Sequence, residues 1–269
     1  MHSIICFTSD FGMGDTWVGM CHAVIHRSCP QARIVDLAHD IPPFDIRKAA
    51  VVASSGVWQL PDALHLAVVD PGVGGGRRDL ILITAGGSTL VGPDNGVLMP
   101  ASWRSGGVVE AYSIVPEHLD FRTPLPTFHA RDILAPAAAI LACGVQAAVI
   151  GEPVDPDTLS PSPFSLYRAE DDTLTAEVID VDRFGSFRLA IPAEDIMGRF
   201  APGDRVEVAV GHVQIEAPFG RTFSDVEQGA PVALVDSSGW FTVAVHMGSA
   251  AERYGIEPGA AARVRTLSG

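Results

Sequence analysis

The stretch that most constrains what this chain can fold into is Val68 to Arg78, VVDPGVGGGRR, where an apolar run ends in a carboxylate, a proline turn, four glycines and two arginines. Leu66 to Val69 is apolar and β-prone, which predicts an inner strand covered on both faces and puts Asp70 at its carboxyl end. Pro71 removes a backbone donor, while Gly72, Gly74, Gly75 and Gly76 let the backbone approach a ligand closely. Arg77 and Arg78 bring fixed positive charge back towards the turn. From this stretch alone two readings stand: a site loop, or a solvated glycine turn with a surface ion pair. A phosphate-cradling loop is disfavoured, because the P-loop lysine and its Ser/Thr are missing.

The same pattern of strand followed by polar loop recurs upstream and downstream. Ser3 to Thr8 reads as a strand running into Thr8-Ser9-Asp10-Phe11-Gly12, and Asp15 to Arg27 carries a helical pattern. Arg33 to Leu37 is a short strand before His39 to Asp45, and Asp45 is a predicted N-cap for a helix through about Gln59. Leu80 to Thr84 and Thr89 to Val91 follow, the second running into Gly92-Pro93-Asp94-Asn95-Gly96. In open α/β sheets, ligands bind outside the carboxyl ends of strands, so four such loops are better explained by one crevice than by separate turns. His129 precedes the helical stretch Ile133 to Cys143. A helix amino end disfavours imidazolium there, which leaves a neutral donor or acceptor.

Residues 151–165, GEPVDPDTLSPSPFS, have the composition of a linker. The expected organisation is an α/β domain over residues 1–158 with a mostly parallel sheet, the linker over 151–165, and a smaller all-β antiparallel barrel over 166–269. Six short β-like runs between Leu174 and His246, separated by Gly, Asp and Pro, carry the second expectation.

Composition narrows the function. A net charge of −14 argues against a duplex nucleic-acid partner, which needs a basic face. The four cysteines, Cys6, Cys21, Cys29 and Cys143, show no CxxC pairing and read as reduced thiols of a cytoplasmic protein. No signal peptide and no membrane span are expected. His22 and His26 stand four apart, a spacing metal sites use, but no third ligand completes the pattern, and no metal is expected. His39 and Asp40 with Asp36 suit a cation or sugar hydroxyls equally. A Ser-His-Asp hydrolase lacks its GxSxG elbow. Asp70, Arg77 and His129 make a different set, an acceptor, a permanent cation and a neutral-range base, suited to orienting and polarising a water.

Taken together these motifs resemble the S-adenosylmethionine hydroxide adenosyltransferase family, kin of the S-adenosylmethionine-dependent chlorinase and fluorinase. The carriers span nearly the whole chain: TSDFG (Thr8 to Gly12), IPPFD (Ile41 to Asp45), VDPGVG with the arginines, VGPDNG (Val91 to Gly96), TFHARD (Thr127 to Asp132), DRFGS (Asp182 to Ser186), TFSDVEQG and GSAAE. The resemblance implies hydrolysis of S-adenosylmethionine to adenosine and L-methionine, without a cofactor, in a homotrimer whose sites lie between subunits. It implies that Asp70, Arg77 and His129 activate water, that Asp10 holds the ribose hydroxyls and that Phe44 packs on the ribose. Asp182 and Ser237 fall where the methionine amino group is held; Phe184, Ser186 and the backbone near Ala250 fall at the adenine side. Three positions depart from the family pattern: Ser186 for Asn, Ala130 for Gly and His246 for Asn. The alternatives are a halogenase on the same scaffold, which in this family lacks the Asp-Arg-His set, and a protein that binds adenosine or S-adenosylmethionine without turnover.

Overall fold

The computed structural model describes residues 4–119 and 123–267, and the chain divides into two compact units, Met1–Pro163 and Phe164–Gly269. In the first unit the apolar run before Asp70 is β3 (Leu64–Val68), buried at every position. Its neighbours are β1 (Ile4–Ser9), β2 (Arg33–Ala38), β4 (Asp79–Thr84), β5 (Thr89–Pro93), β6 (Val108–Ile114) and β7 (Gly151–Val154), in the spatial order β2-β1-β3-β5-β4-β6-β7. β1 pairs in parallel with β2 and β3, and β3 with β5; β4 is antiparallel to β5 and β6, and β7 to β6. β2, β1, β3, β5 and β6 therefore run one way and β4 and β7 the other, a mixed, mostly parallel sheet.

Alternation along β3 explains the layers. Leu64, Leu66 and Val68 join a core with Val18, Cys21 and Ile25 of α1 (Trp17–Ser28). His65 points to the opposite face, under α2 (Ile46–Gln59). A Cβ at Gly56 there would lie 2.5 Å from Leu37 and 3.2 Å from His65, so glycine is what lets α2 sit this close. Asp45 caps α2 as expected, accepting from Lys48 N–H at 2.9 Å. The short α3 (Met99–Arg104) packs beside α2, and a wide π-type turn, Ala130–Leu134, runs into α4 (Ala135–Ala142), whose alanines join the α1 core.

The stretch expected as a linker is largely built into this unit. α5 (Ala147–Ile150) leads into β7, which pairs along β6, and Arg47 donates to the Pro163 carbonyl at 3.0 Å. Pro153 is accommodated because β7 is an edge strand, where a missing N–H costs no ladder bond.

The second unit is an antiparallel sheet of β9 (Thr173–Val181), β10 (Phe187–Pro192), β11 (Arg205–Val210), β12 (Val213–Pro218), β13 (Pro231–Val235), β14 (Trp240–Val245) and β15 (Ala261–Thr266), with β8 (Arg168–Glu170) added on β9. The order is β12-β11-β15-β9-β10-β14-β13. Phe219 bridges to Ala233, which brings the chain just past β12 onto β13 and nearly closes the barrel. Trp240, Phe187 and Phe241 fill its core, with α6 (Ala193–Ile196) and α7 (Ala250–Tyr254) in the connections. No helix among the described residues is long and apolar enough to cross a membrane.

Candidate active site

The chain leaves β1 through α1 to one side of the sheet and returns through α2 to β3 on the other, so the strand order reverses between β1 and β3. Such a switch point leaves a crevice at the strand carboxyl ends. Here it is a cavity of about 600 Å³ lined by Asp10 after β1, Phe44 before α2, Asp70 after β3, and Phe128, His129 and Ala130 at the start of the π turn.

Arg77 folds back along the glycine loop to Asp70. Its Nε donates to the two Asp70 oxygens at 3.0 and 2.9 Å, and Nη2 makes a further contact on Oδ2. The Gly72 N–H adds a bond to Asp70 Oδ1 at 3.2 Å. On its other edge Arg77 Nη1 donates to Asp79 Oδ1 at 2.6 Å, and Asp79 Oδ2 lies 2.8 Å from His129 Nδ1. Arg77 Nη2 is 3.2 Å from the same ring nitrogen. Nδ1 cannot donate to Asp79 and accept from Arg77 at once. The shorter contact, to a carboxylate, assigns the proton to Nδ1. Nε2 then carries the lone pair, and it makes no hydrogen bond among the described residues.

These side chains are 6 to 16% exposed, so water screens their charges little. Burial pushes the Asp79 carboxyl above the ordinary carboxylate range, against the opposing pull of Arg77 and His129. Burial also works against the Arg77 charge, but Asp70 and Asp79 outweigh it and hold the guanidinium above its usual value. Asp79 was absent from the sequence expectations. The signal was the extended backbone entering β4, where residues two apart share a face and Arg77 and Asp79 therefore point together.

Asp10 Oδ2 accepts the Phe44 N–H at 2.9 Å, which ties the first and second loops together. Phe44 takes a left-handed backbone, φ 70°, and its side chain is 70% exposed. Two expectations change here. Arg78 does not join the turn; it pairs with Asp94 at 2.7 Å and donates to the Thr158 carbonyl. The Gly92–Gly96 loop likewise acts as a buttress, with Asn95 donating to the Val69 carbonyl at 2.8 Å, rather than lining the cavity. His22 and His39 both place Nε2 2.9 Å from Asp36 Oδ1, and His39 Nδ1 lies 2.7 Å from Ser9 Oγ, a network that excludes His26.

The remaining predicted residues belong to the second unit. Asp182 Oδ1 accepts the N–H groups of Phe184 and Ser186 at 2.8 and 2.9 Å, which shapes the turn between β9 and β10. Gly185, φ 82°, sits on Ser249, and its carbonyl accepts the Ala251 N–H at 2.8 Å, bringing Ala250 beside this turn. Arg188 donates to Asp236 at 2.6 Å and to Asp180 at 2.6 Å and lies 3.7 Å from Asp182, linking the turn that bears Ser237 to the turn that bears Asp182. Asp182, Phe184, Ser186, Ser237 and Ala250 thus gather at one end of the barrel. Of the departures, Ala130 lines the first-unit cavity, Ser186 is buried by its turn, and the His246 Nδ1 lies 2.8 Å from the Val226 carbonyl.

Two family descriptions match the chain: the SAM hydroxide adenosyltransferase N-terminal domain over residues 5–151 and the corresponding C-terminal domain over residues 176–263. The chain is 43% identical over 263 residues to a Salinispora tropica protein named (R)-S-adenosyl-L-methionine hydrolase, covering 97% of each. It is 26% identical to a Nocardia brasiliensis fluorinase, covering 97% of this chain and 96% of that one. A crystal structure of an uncharacterized conserved protein from Thermotoga maritima superposes with a TM-score of 0.88 at 32% identity, covering 97% of this chain and 99% of that one.

Proposed function

This chain belongs to the SAM hydroxide adenosyltransferase family, and from that premise we propose that it hydrolyses S-adenosyl-L-methionine to adenosine and L-methionine, acting on the (R) form that its relative's name specifies. The observation that carries this reading is the convergence of Asp70, Arg77 and His129 beside a cavity at the switch point.

The sulfonium is already a cationic leaving group, so displacement at the ribose C5′ needs an aligned and partly desolvated nucleophile more than it needs electrophilic help. A water oxygen forms a bond to C5′ while the C5′–S bond breaks. The bond pair goes to sulfur, leaving neutral methionine thioether, and the water gives up a proton. No cofactor or metal enters this balance. Arg77 holds the Asp70 carboxylate oriented through both oxygens, so that Asp70 accepts one water hydrogen and fixes the water for attack. Asp10 takes the ribose hydroxyls and Phe44 the ribose face.

The second-unit residues complete the proposed site: Asp182 and Ser237 for the methionine amino group, and Phe184, Ser186 and the backbone near Ala250 for adenine. We assign this contribution to a neighbouring subunit in a homotrimer. Two aromatic side chains left open, Phe44 at 70% and Phe184 at 79%, support a cover for each. The proposed compartment is the cytoplasm, where the four free cysteines stay reduced.

Chromatography of the purified protein incubated with each sulfonium epimer, with and without excess chloride, tests the reading. Adenosine and methionine in equal amounts from the (R) epimer, unchanged by chloride, is the expected result. A 5′-halogenated nucleoside overturns it in favour of a halogenase, and tight binding with no product in favour of a binding protein.

A further inference from the structure

We propose that Asp79 is the positioning residue that makes His129 the proton acceptor of the reaction, an assignment that rests on the hydrolytic reading above. The proton needs a destination, and Asp70 is a poor one. Arg77 engages both of its oxygens and the Gly72 N–H adds a third donor, so its lone pairs are largely taken up by donors already in place. His129 is placed differently. Its Nδ1–H is taken by Asp79 at 2.8 Å, so the open Nε2 is the basic nitrogen, on a residue that lines the cavity.

Asp79 itself is not among the residues lining the cavity and acts only through its two contacts. One oxygen fixes the histidine tautomer and supplies a counter-charge once the ring is protonated. The other receives Arg77 at 2.6 Å, so a single side chain sets the spacing between the base and the Asp70–Arg77 pair. In the step itself, a water O–H bond breaks, its proton moves to His129 Nε2, its oxygen bonds to C5′, and the C5′–S pair leaves on sulfur. The proton then passes from the imidazolium to solvent. The charged groups facing this ring are Asp79 from β4, Arg77 and Asp70 from the glycine loop, and Asp10 across the cavity. Arg131, on its own turn, is paired with Asp132 at 2.7 Å.

The test is steady-state kinetics across pH on full-length Asp79→Asn and Asp79→Glu, with the ring tautomer read by ¹⁵N-histidine NMR. For Asp79→Asn we expect kcat about 100-fold down with KM within about threefold, since a carboxylate that orients a histidine acts on turnover rather than on binding. The acid limb of kcat should move to lower pH, because the imidazolium has lost its counter-charge. Asp79→Glu should recover a measurable part of kcat, and wild-type His129 should show the Nδ1–H form. Unchanged kcat and acid limb in Asp79→Asn, with wild-type hydrolysis intact, overturns the role of Asp79 alone. A lowered kcat with an unmoved acid limb reduces Asp79 to a structural residue and also overturns it. Absence of hydrolysis by the wild type overturns the reading beneath it and the proposal with it.

Discussion

At residue scale, Asp79 shows the cost of building such a site. Its carboxyl is pushed up by burial and stays raised in spite of Arg77 and His129. Between the ordinary carboxylate value and the raised folded value, the native state holds a proton that the unfolded chain has released. The contribution of Asp79 to stability is therefore full below the unfolded value and lost as pH rises through the folded one. Urea denaturation of wild type and Asp79→Asn at pH 4 and pH 7 isolates this, because most other titrating groups are shared. The wild type should hold its advantage, or its smallest deficit, at pH 4; a wild-type advantage that grows towards pH 7 would contradict the sign. Much of this arrangement was legible in the sequence. Asp70, Arg77 and His129 stood out through their loops, since an acidic strand end and a histidine at a helix start are local patterns. Asp79 was marked only by its place two residues after Arg77, and a single acidic residue opening an apolar strand reads as a solvated edge until the fold brings it against His129, fifty residues away.

At the scale of elements, the glycine loop between β3 and β4 is what delivers Arg77 to Asp70. Gly74 has φ 76°, and a Cβ there would lie 2.4 Å from the Pro126 carbonyl oxygen, on the segment that leads to His129. Gly74→Ala must therefore strain its backbone and push apart the two segments that carry the site. We expect a loss of about 1–3 kcal/mol in urea denaturation together with a lowered kcat. Gly76→Ala, whose added Cβ meets open space, is the control and should stay near wild type in stability. Equal effects at both positions would mean that the loop needs general flexibility and not this close approach. β1 and β3 were readable because both are apolar runs ending at polar clusters. β6 and β15 escaped: each is partly exposed and buries few apolar side chains, Ala111 and Ile114 in β6 and Ala262 and Val264 in β15. The 151–165 stretch is part linker and part strand: the division between the two units, Pro163 to Phe164, falls within it, while Pro153 sits in the edge strand β7, which tolerates it.

At the scale of the whole molecule, the proposed site draws on residues of both units, and the proposal assigns the two sets to different subunits. That arrangement makes a prediction that no single-subunit site can satisfy. His129→Ala removes the base from the first unit and leaves Asp182 intact; Asp182→Ala removes the methionine contact from the second unit and leaves His129 intact. Each variant alone should be nearly inactive. In a co-expressed mixture, a site that takes its first-unit part from an Asp182→Ala subunit and its second-unit part from a His129→Ala subunit carries no substitution. With equal amounts and random closed assembly, about one quarter of the sites should be of this kind. Recovery of roughly that share of wild-type turnover, in a species whose light-scattering mass is three times that of one chain, supports shared sites in a trimer. Failure of the mixture to exceed either variant, with mixed oligomers verified by differential tags, would place both halves of each site in one chain. The exposure of Phe44 and Phe184 makes recovery the expected result, because an aromatic meant to pack on a sugar or a base needs a second wall to close over it.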